Sequence, residues 1–296
     1  MRIGPFTPTI LPKKRYLLLH VFLIWITIIP ILLEFWFFWQ EMFHWKYIFE
    51  WRIIHFFLFL PIICILMYVT AVLFSIIFTK FILIIVNFMH KPQEGVFLRN
   101  TSNKHYRYWC LRNLLKKWST WLAHKFPFPF MDNICFKIFG VNTKISNSLF
   151  EGWVDCEFID FGKDVVVGQG AIVQSAVIIG DYLIIRKTII EDNVRIGSHA
   201  FVMPGTHIGK NCILAANSST VIEQQLDEGW IYVGIPAKKF KRNIFFDKGL
   251  ESLIGYVEDV ELLREKYEKV YTKLKLRERM EIKKEKKEEE KHRWEI

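Results

Sequence analysis

The hydrophobic positions of this chain change period along its length, and each period predicts a different element. From Tyr16 to Trp39 the chain is apolar without a period, interrupted by His20, Pro30 and Glu34. As a helix this run is about 36 Å long, against a hydrocarbon core of about 30 Å. It is too long for a cleaved signal, and no small-x-small site follows it. Residues 53–86 form a second run, broken by His55 and Lys80 and kinked at Pro61. At about 51 Å it exceeds the bilayer, so Lys80 is expected where the helix emerges. Glu34, near the end of the first run, is expected at the interface, with an intramembrane role as the alternative.

Between Phe161 and Ser219 the period becomes six. A large apolar residue followed by glycine recurs at Phe161-Gly162, Val167-Gly168, Ile179-Gly180, Ile196-Gly197 and Ile208-Gly209. A second series of smaller inward positions runs Val165, Ala171, Val177, Leu183, Ile189, then Val194, Ala200, Thr206, Cys212 and Ser218. The step from Gly180 to Gly197 is one short of three hexads, which marks a skipped residue. One large and one small inward residue per six predicts a triangular coil, three hexads per turn, whose stacked turns form parallel sheets. Glycine after the large residue is expected to turn the corner where a Cβ would be strained. A sandwich of alternating strands is the competing reading, but its turns would not recur at multiples of six.

Beyond the coil a helical period returns. Leu250, Leu253, Val257, Val260, Leu263, Tyr267, Val270 and Leu274 recur at threes and fours in a charged background. This seam predicts either a short coiled coil or a helix packed back along the coil wall. The expected organisation is a basic end over 1–15, transmembrane helices over 16–39 and 53–86, and a basic amphipathic connector over 90–140. The β-helix follows over 141–222, then an exit loop over 223–246 and a charged helix over 247–296.

Charge adds orientation to this picture. The chain carries a formal net charge of +10, and its basic excess lies in the two segments flanking the apolar runs. Residues 90–125 hold Lys91, Arg99, Lys104, Arg107, Arg112, Lys116, Lys117 and Lys125 against Glu94 alone, whereas the intervening loop is balanced. Both termini and the β-helix are therefore expected in the cytoplasm, and the positive charge is expected to face an anionic lipid surface rather than nucleic acid. In the connector, Leu111, Leu114, Leu115, Trp118 and Leu122 share one helical face, with Arg112, Lys116 and Lys117 mostly off it. That face predicts a helix in the headgroup layer anchored by Trp109, Trp118 and Trp121, or one packed on the first coil. The five cysteines form no CxxC or paired spacing, which argues against a disulfide framework and a zinc site.

The run IGSHAFVMPGTHIGKNCILAANSSTVI, closed by GWIYVGIPAKKFKR, resembles the hexapeptide-repeat acyltransferases. The order of GVNTKI, DCEFIDFG, GQGAIVQS, EDNVRIG and MPGTHIG is more closely similar to the membrane-bound carboxyl-terminal domains of polylysine-synthetase-like peptide synthetases and their stand-alone archaeal relatives. The resemblance implies a mainly β chain built on a left-handed parallel β-helix, here with a two-helix transmembrane hairpin before it and a charged helix after it. It further implies a homotrimer that moves an acyl group from acyl-CoA, acetyl-CoA or a carrier-bound thioester to a hydroxyl or amine. A non-catalytic scaffold at the membrane and an amide-forming domain fed by a partner synthetase or carrier are the alternatives.

The resemblance also implies a histidine base on the solenoid after the GQGAIVQS segment, where this chain has Ala176. His199 is the candidate replacement, with an exposed corner histidine lacking a task as the other reading; His207 is the weaker candidate. Zinc held as in the repeat-type carbonic anhydrases would need three histidines, and the coils carry two. The segment GIPAKK matches the family's exit loop, so Ser219, Gly234, Pro236, Ala237, Lys238 and Lys239 are expected to border a coenzyme A cleft. Capping of the last strands alone is the other reading of this loop.

Overall fold

A computed structural model describes residues 14–42, 51, 53–128, 130–149 and 152–243. Most of the basic amino-terminal end, most of the loop between the apolar runs, and the charged helix expected over 247–296 with its seam lie outside the described residues.

Two helices open the structure, α1 (Lys14–Met42) and α2 (Ile53–Met89), both long and apolar enough to cross a membrane. Each contains one proline, Pro30 and Pro61. They pack on one another, with Phe38 stacked on Phe56 at 5.1 Å and Leu23 and Val72 fully buried. Their outer faces leave Leu18, Trp36, Phe57, Ile65, Phe81 and Phe88 exposed, the surface expected of helices solvated by lipid.

A short strand β1 (Gly95–Leu98) then leads into α3 (Lys104–His124) and α4 (Phe130–Phe139). Asn103 caps α3, its side chain accepting from the amides of His105 and Tyr106, which satisfies two donors that a helix start leaves open. Of the two placements open to it, α3 takes the packed one: Lys104 and Lys117 stay exposed, but Arg112 and Lys116 are buried. It is clamped between the helical hairpin and the first coil: Arg112 is 1% and Lys116 3% exposed, and both donate to Glu157 Oε1 at 2.8 Å. On the other side Ser119 Oγ donates to the Ser75 carbonyl at 2.8 Å, and Trp118 Nε1 donates to Thr27 Oγ1 at 3.2 Å. Burying both charges with one shared carboxylate replaces the headgroup contact that Arg112 and Lys116 suggested.

The coil begins with β2 (Trp153–Val154), β3 (Ile159–Phe161), β4 (Val166–Val167) and β5 (Ile172–Val173). It is interrupted by β6 (Ala176–Ile179) and β7 (Tyr182–Ile185). It resumes with β8 (Thr188–Ile190), β9 (Arg195–Ile196), β10 (Phe201–Val202), β11 (His207–Ile208), β12 (Ile213–Leu214) and β13 (Gln225–Leu226). It closes on β14 (Trp230–Val233) and β15 (Lys238–Arg242). Three sheets stack in parallel, β3-β8-β11-β13, β4-β9-β12-β14 and β2-β5-β10, with β15 antiparallel at the end of the second. In the later turns partners lie 18 apart, as in Ile189↔His207 and Arg195↔Ile213. Between β4 and β9 the offset is 29, Val166↔Arg195, so eleven residues have been inserted.

That insertion is the β6-β7 hairpin, which leaves the coil and joins β1 in an antiparallel sheet of its own. Ile179-Gly180 is therefore a hairpin tip, not a corner, and Val177 and Leu183 do not fill the coil. An eleven-residue insertion, one short of two hexads, mimics a continuing repeat with one residue missing. Leu183 and Ile185 instead pack on Tyr106, Trp109 and Cys110 of α3.

The corner glycines also act differently from the expectation. The left-handed backbone falls two residues later, at Asp164, Gly170, His199 and Asn211, with φ of 57°, 67°, 56° and 57°. Gly162, Gly168, Gly197 and Gly209 serve close approach: a Cβ on Gly197 would lie 2.4 Å from the Ala216 amide nitrogen one turn away. Inside the coil, Phe161, Ile190, Ile196, Ile208 and Leu214 alternate with Val165, Ala171, Val194, Ala200 and Cys212, all nearly inaccessible. The described chain is thus mixed helix and sheet rather than mainly β, because helices of 29, 37, 21 and 10 residues precede strands of two to five.

Candidate active site

Where α3 crosses the first two coils it does not close fully on them. A cleft of about 350 Å³ remains, lined from α3 by Trp109, Asn113, Lys116, Lys117, Thr120 and His124. The facing wall includes Trp153, Asp155, Cys156, Gln174 and Ala176. The helix residues recur at threes and fours, so a single stripe of α3 forms one side. Ala176, where the resemblance calls for a histidine, lies on the wall of this cleft, and its amide donates to Asp155 Oδ2 at 3.3 Å.

A histidine is present there from another element. His124, at the last turn of α3, pairs through Nδ1 with Asp132 Oδ2 of α4 at 3.1 Å. The Asp132 side chain is 2% exposed, and that of His124 38%. Burial pushes the Asp132 carboxyl up to about 6, while the charge and hydrogen bond of His124 pull it down. Once ionised, Asp132 accepts from Nδ1–H and leaves the imidazole lone pair on Nε2, the tautomer a general base requires. The pair comes together where α4 packs on α3. No periodicity in the sequence marks these two residues, which lie eight apart; a His and an Asp flanking FPFPF was the one available sign.

Other groups in the cleft are less suited to proton transfer or attack. Burial pushes the Cys156 thiol up to about 12, so it stays protonated. Burial likewise raises the Asp155 carboxyl, with the Ser175 and Ala176 amides opposing. For Glu157 burial acts upward too, but Lys116 and Arg112 overcome it and hold the carboxyl below its ordinary value. Among the described residues no three His, Cys, Asp or Glu side chains come together as a metal site.

His199 lies elsewhere, exposed at a corner with φ of 56°, its amide bonded to the Gln169 carbonyl at 2.9 Å. Its ring stands over Gly170, where a Cβ would come within 2.5 Å of Nδ1. Asn193, Asn211 and Asn217 occupy equivalent left-handed corners, so backbone geometry alone accounts for a polar residue at 199. His207 is tied to Glu191 at 2.8 Å and to Gln225 at 3.1 Å.

The exit loop folds against the last coil. The Ser219 amide donates to the Gly234 carbonyl at 3.0 Å, and the Ser219 carbonyl accepts from Ala237 at 2.8 Å. Gly234 has φ of 92°, Ala237 is buried, and Pro236 and Lys238 are exposed. Lys239 is engaged, 2.5 Å from Asp227 and 4.9 Å from the Trp230 ring centroid. A column of outward residues, Trp153, Ile172, Phe201 and Ser219, connects cleft and loop through successive parallel pairs. At about 4.8 Å per step this column is roughly 15 Å long.

The family model of the bacterial transferase hexapeptide (six repeats) matches residues 187–219. A 2,3,4,5-tetrahydropyridine-2,6-dicarboxylate N-acetyltransferase of Staphylococcus aureus is 35% identical over 81 residues, covering 27% of this chain and 32% of that protein. The chain thus spans about a third of the length of the curated relatives it matches. Among solved structures, a hexapeptide-repeat acetyltransferase of Vibrio cholerae is similar at a TM-score of 0.35 and 17% identity, over 43% of this chain and 88% of that one. A variant of the N-acyltransferase AntD of Bacillus cereus, in complex with dTDP-4-amino-4,6-dideoxyglucose and coenzyme A, gives a TM-score of 0.27 and 26% identity, over 28% and 52%. With their six-residue period and parallel coils, residues 187–219 carry the bacterial transferase hexapeptide repeat.

Proposed function

We propose that this chain is a membrane-tethered acyltransferase whose coil is left-handed and whose general base is His124, oriented by Asp132. The observation that carries this reading is the His124–Asp132 pair on the cleft that Ala176 lines. A thioester, from acyl-CoA, acetyl-CoA or a carrier, would lie along the column from Ser219 to Trp153. Its polar end would then rest on the exit loop formed by Gly234, Pro236, Ala237 and Lys238. Lys238 offers a point charge for phosphate, whereas Lys239 would first have to leave Asp227.

In the step itself a hydroxyl or amine of the acceptor attacks the thioester carbonyl carbon as His124 Nε2 takes its proton. The new C–O or C–N bond forms, the C–S bond breaks, and the imidazolium returns the proton to the departing thiolate. His124 is thus restored and a free thiol released. We further read both helices as spans with both termini cytoplasmic, and the coil as part of a homotrimer, in keeping with the basic flanks and the resemblance. A membrane-bound amide-forming partner of a synthetase would use the same residues with an aminoacyl thioester.

The test is turnover of acetyl-CoA and longer acyl-CoA by full-length protein in nanodiscs with pooled amine and alcohol acceptors. Removal of a general base lowers rate by about 10² to 10⁴, so His124→Ala is expected to lose that much and His199→Ala little. The reverse order would move the base to His199. Absence of turnover with every thioester, in a wild-type protein that binds one, would leave a scaffold.

A further inference from the structure

We infer that the cleft is entered from the bilayer, and that its acceptor is a membrane amphiphile bearing a hydroxyl or amine on its polar head. What happens to that head rests on the acyl-transfer reading; the route of entry does not.

The first support is the length of α2. Its 37 residues make about 55 Å of helix, against about 30 Å of hydrocarbon. At the far end Phe38 and Trp39 pack on Phe56, at 5.1 and 6.0 Å, close in sequence to the charged residues Glu41, Lys46, Glu50 and Arg52. Counting about twenty residues of rise from Phe56 puts the near edge of the hydrocarbon close to Ile76. That is where α3 meets α2, through Ser119 with the Ser75 carbonyl and with Thr79, both at 2.8 Å. The rest of α3 descends from there. Its Leu122 carbonyl accepts from Tyr68 at 3.1 Å, and Phe126 lies 5.5 Å from the Tyr68 ring. Tyr68 is about 12 Å below Ile76 along the helix. The Thr120–His124 end of the cleft therefore reaches the headgroup level or below it.

The surface of that end fits such a depth. Trp121, Phe128, Phe130 and Ile134 are 51, 52, 48 and 38% exposed, and Trp118 and Trp121 stack at 5.5 Å. Exposed Lys117 and Lys125 flank them, able to extend their charges to the lipid phosphates. At the opposite end the cleft is stopped where Trp109 packs on Leu183 and Ile185 of the inserted hairpin. A molecule entering beside Thr120 places its head at His124 and keeps its tail among the exposed aromatics. A water-soluble acceptor would have no use for that aromatic surround.

Two measurements on full-length protein in phosphatidylcholine–phosphatidylglycerol nanodiscs test this. A bimane on Thr120→Cys, in a Cys64→Ser background, is expected to be quenched by spin-labelled lipids about as strongly as one on Phe128→Cys. One on Lys210→Cys, out on the coil, is expected to be spared. Quenching at 120 by aqueous iodide alone overturns the proposal. The second measurement compares butyl, octyl and dodecyl amines and alcohols as acceptors of acetyl-CoA. Partition into the bilayer gains about 0.8 kcal/mol per methylene, so entry from lipid raises kcat/KM on total acceptor by about fourfold per methylene until partition saturates. Entry from water gives a flat or falling series, because the bilayer sequesters the long chains, and this also overturns the proposal. Lipid quenching at 120 without transfer to any acceptor would sink the acyl-transfer reading and leave the bilayer entry standing.

Discussion

Replacing Glu157 tests whether one carboxylate holds the helices to the coil. Arg112 and Lys116 both bind Oε1 at 2.8 Å, with side chains 2 and 4% exposed, and Oε2 has no partner among the described residues. Glu157→Gln removes the charge and leaves two buried cations facing a neutral amide. Breaking a buried ion pair from one side costs about 3–5 kcal/mol, because the remaining charge is uncompensated. Felt at the joint, this raises the opening equilibrium about 10² to 10⁴-fold. Hydrogen exchange of the α3 amides in detergent or nanodiscs reads that factor directly when opening is local. The triple variant Arg112→Met, Lys116→Met, Glu157→Met supplies the control, since replacing a whole buried ion set by apolar groups is often neutral or stabilising. The sign with pH follows from the depressed Glu157 carboxyl. Its contribution is present above the unfolded value, about 4.3, and is lost as pH falls through the lower folded one. If Glu157→Gln exchanges within about threefold of wild type, the clamp is not electrostatic and α3 is held by its apolar contacts alone.

Asp132 carries the opposite sign. Its carboxyl is raised to about 6 chiefly by burial, so the stability it contributes is fully present below its unfolded value and lost as pH rises through about 6. Acyl transfer should climb over the same window, as the ionised carboxylate comes to hold His124; Asp132→Asn is expected to lower the rate and remove the step in both stability and rate profiles. A step that survives in Asp132→Asn would assign it to another group. At the corners, Gly197→Ala should unfold the coil more readily than His199→Gly, because the new Cβ meets backbone at 2.4 Å while residue 199 already has φ of 56°. Thermal melts should find His199→Gly neutral or stabilised and His199→Val weakened by about 1–2 kcal/mol; equal effects at the two sites would contradict this account of the corners.

The coil was legible in the sequence because a close-packed prism enforces one inward residue type per corner, and Phe161, Ile190, Ile196 and Ile208 could not vary freely. The hairpin was hidden by arithmetic: eleven inserted residues differ from two hexads by one, and Ile179-Gly180 copies the corner pair while serving as a hairpin tip. The role of Gly197 was misread because sequence reports that a Cβ is missing without reporting whether torsion or a neighbour forbids it. Burial of Arg112 and Lys116 was not legible either, since their partner Glu157 lies 45 and 41 residues away. The same holds for His124, which has no repeat to announce it and gains its partner from α4. The exit loop was visible as a segment, yet the engagement of Lys239 with Asp227 needed coordinates.

The strand that follows α2 has a consequence for encounter rates. β1 pairs along its whole length with β7, from Gly95↔Ile185 to Leu98↔Tyr182, and Glu94 accepts from the Lys187 amide at 2.8 Å. A flexible leash would let the coil tumble and sample the volume above the membrane. On the membrane-tethered reading proposed above, this connection would act as a bracket that fixes stand-off height and heading, so that the cleft would sweep a plane. For any acceptor confined to that plane the governing concentration is molecules per unit area, and diluting the cell or the vesicle suspension leaves the collision frequency unchanged.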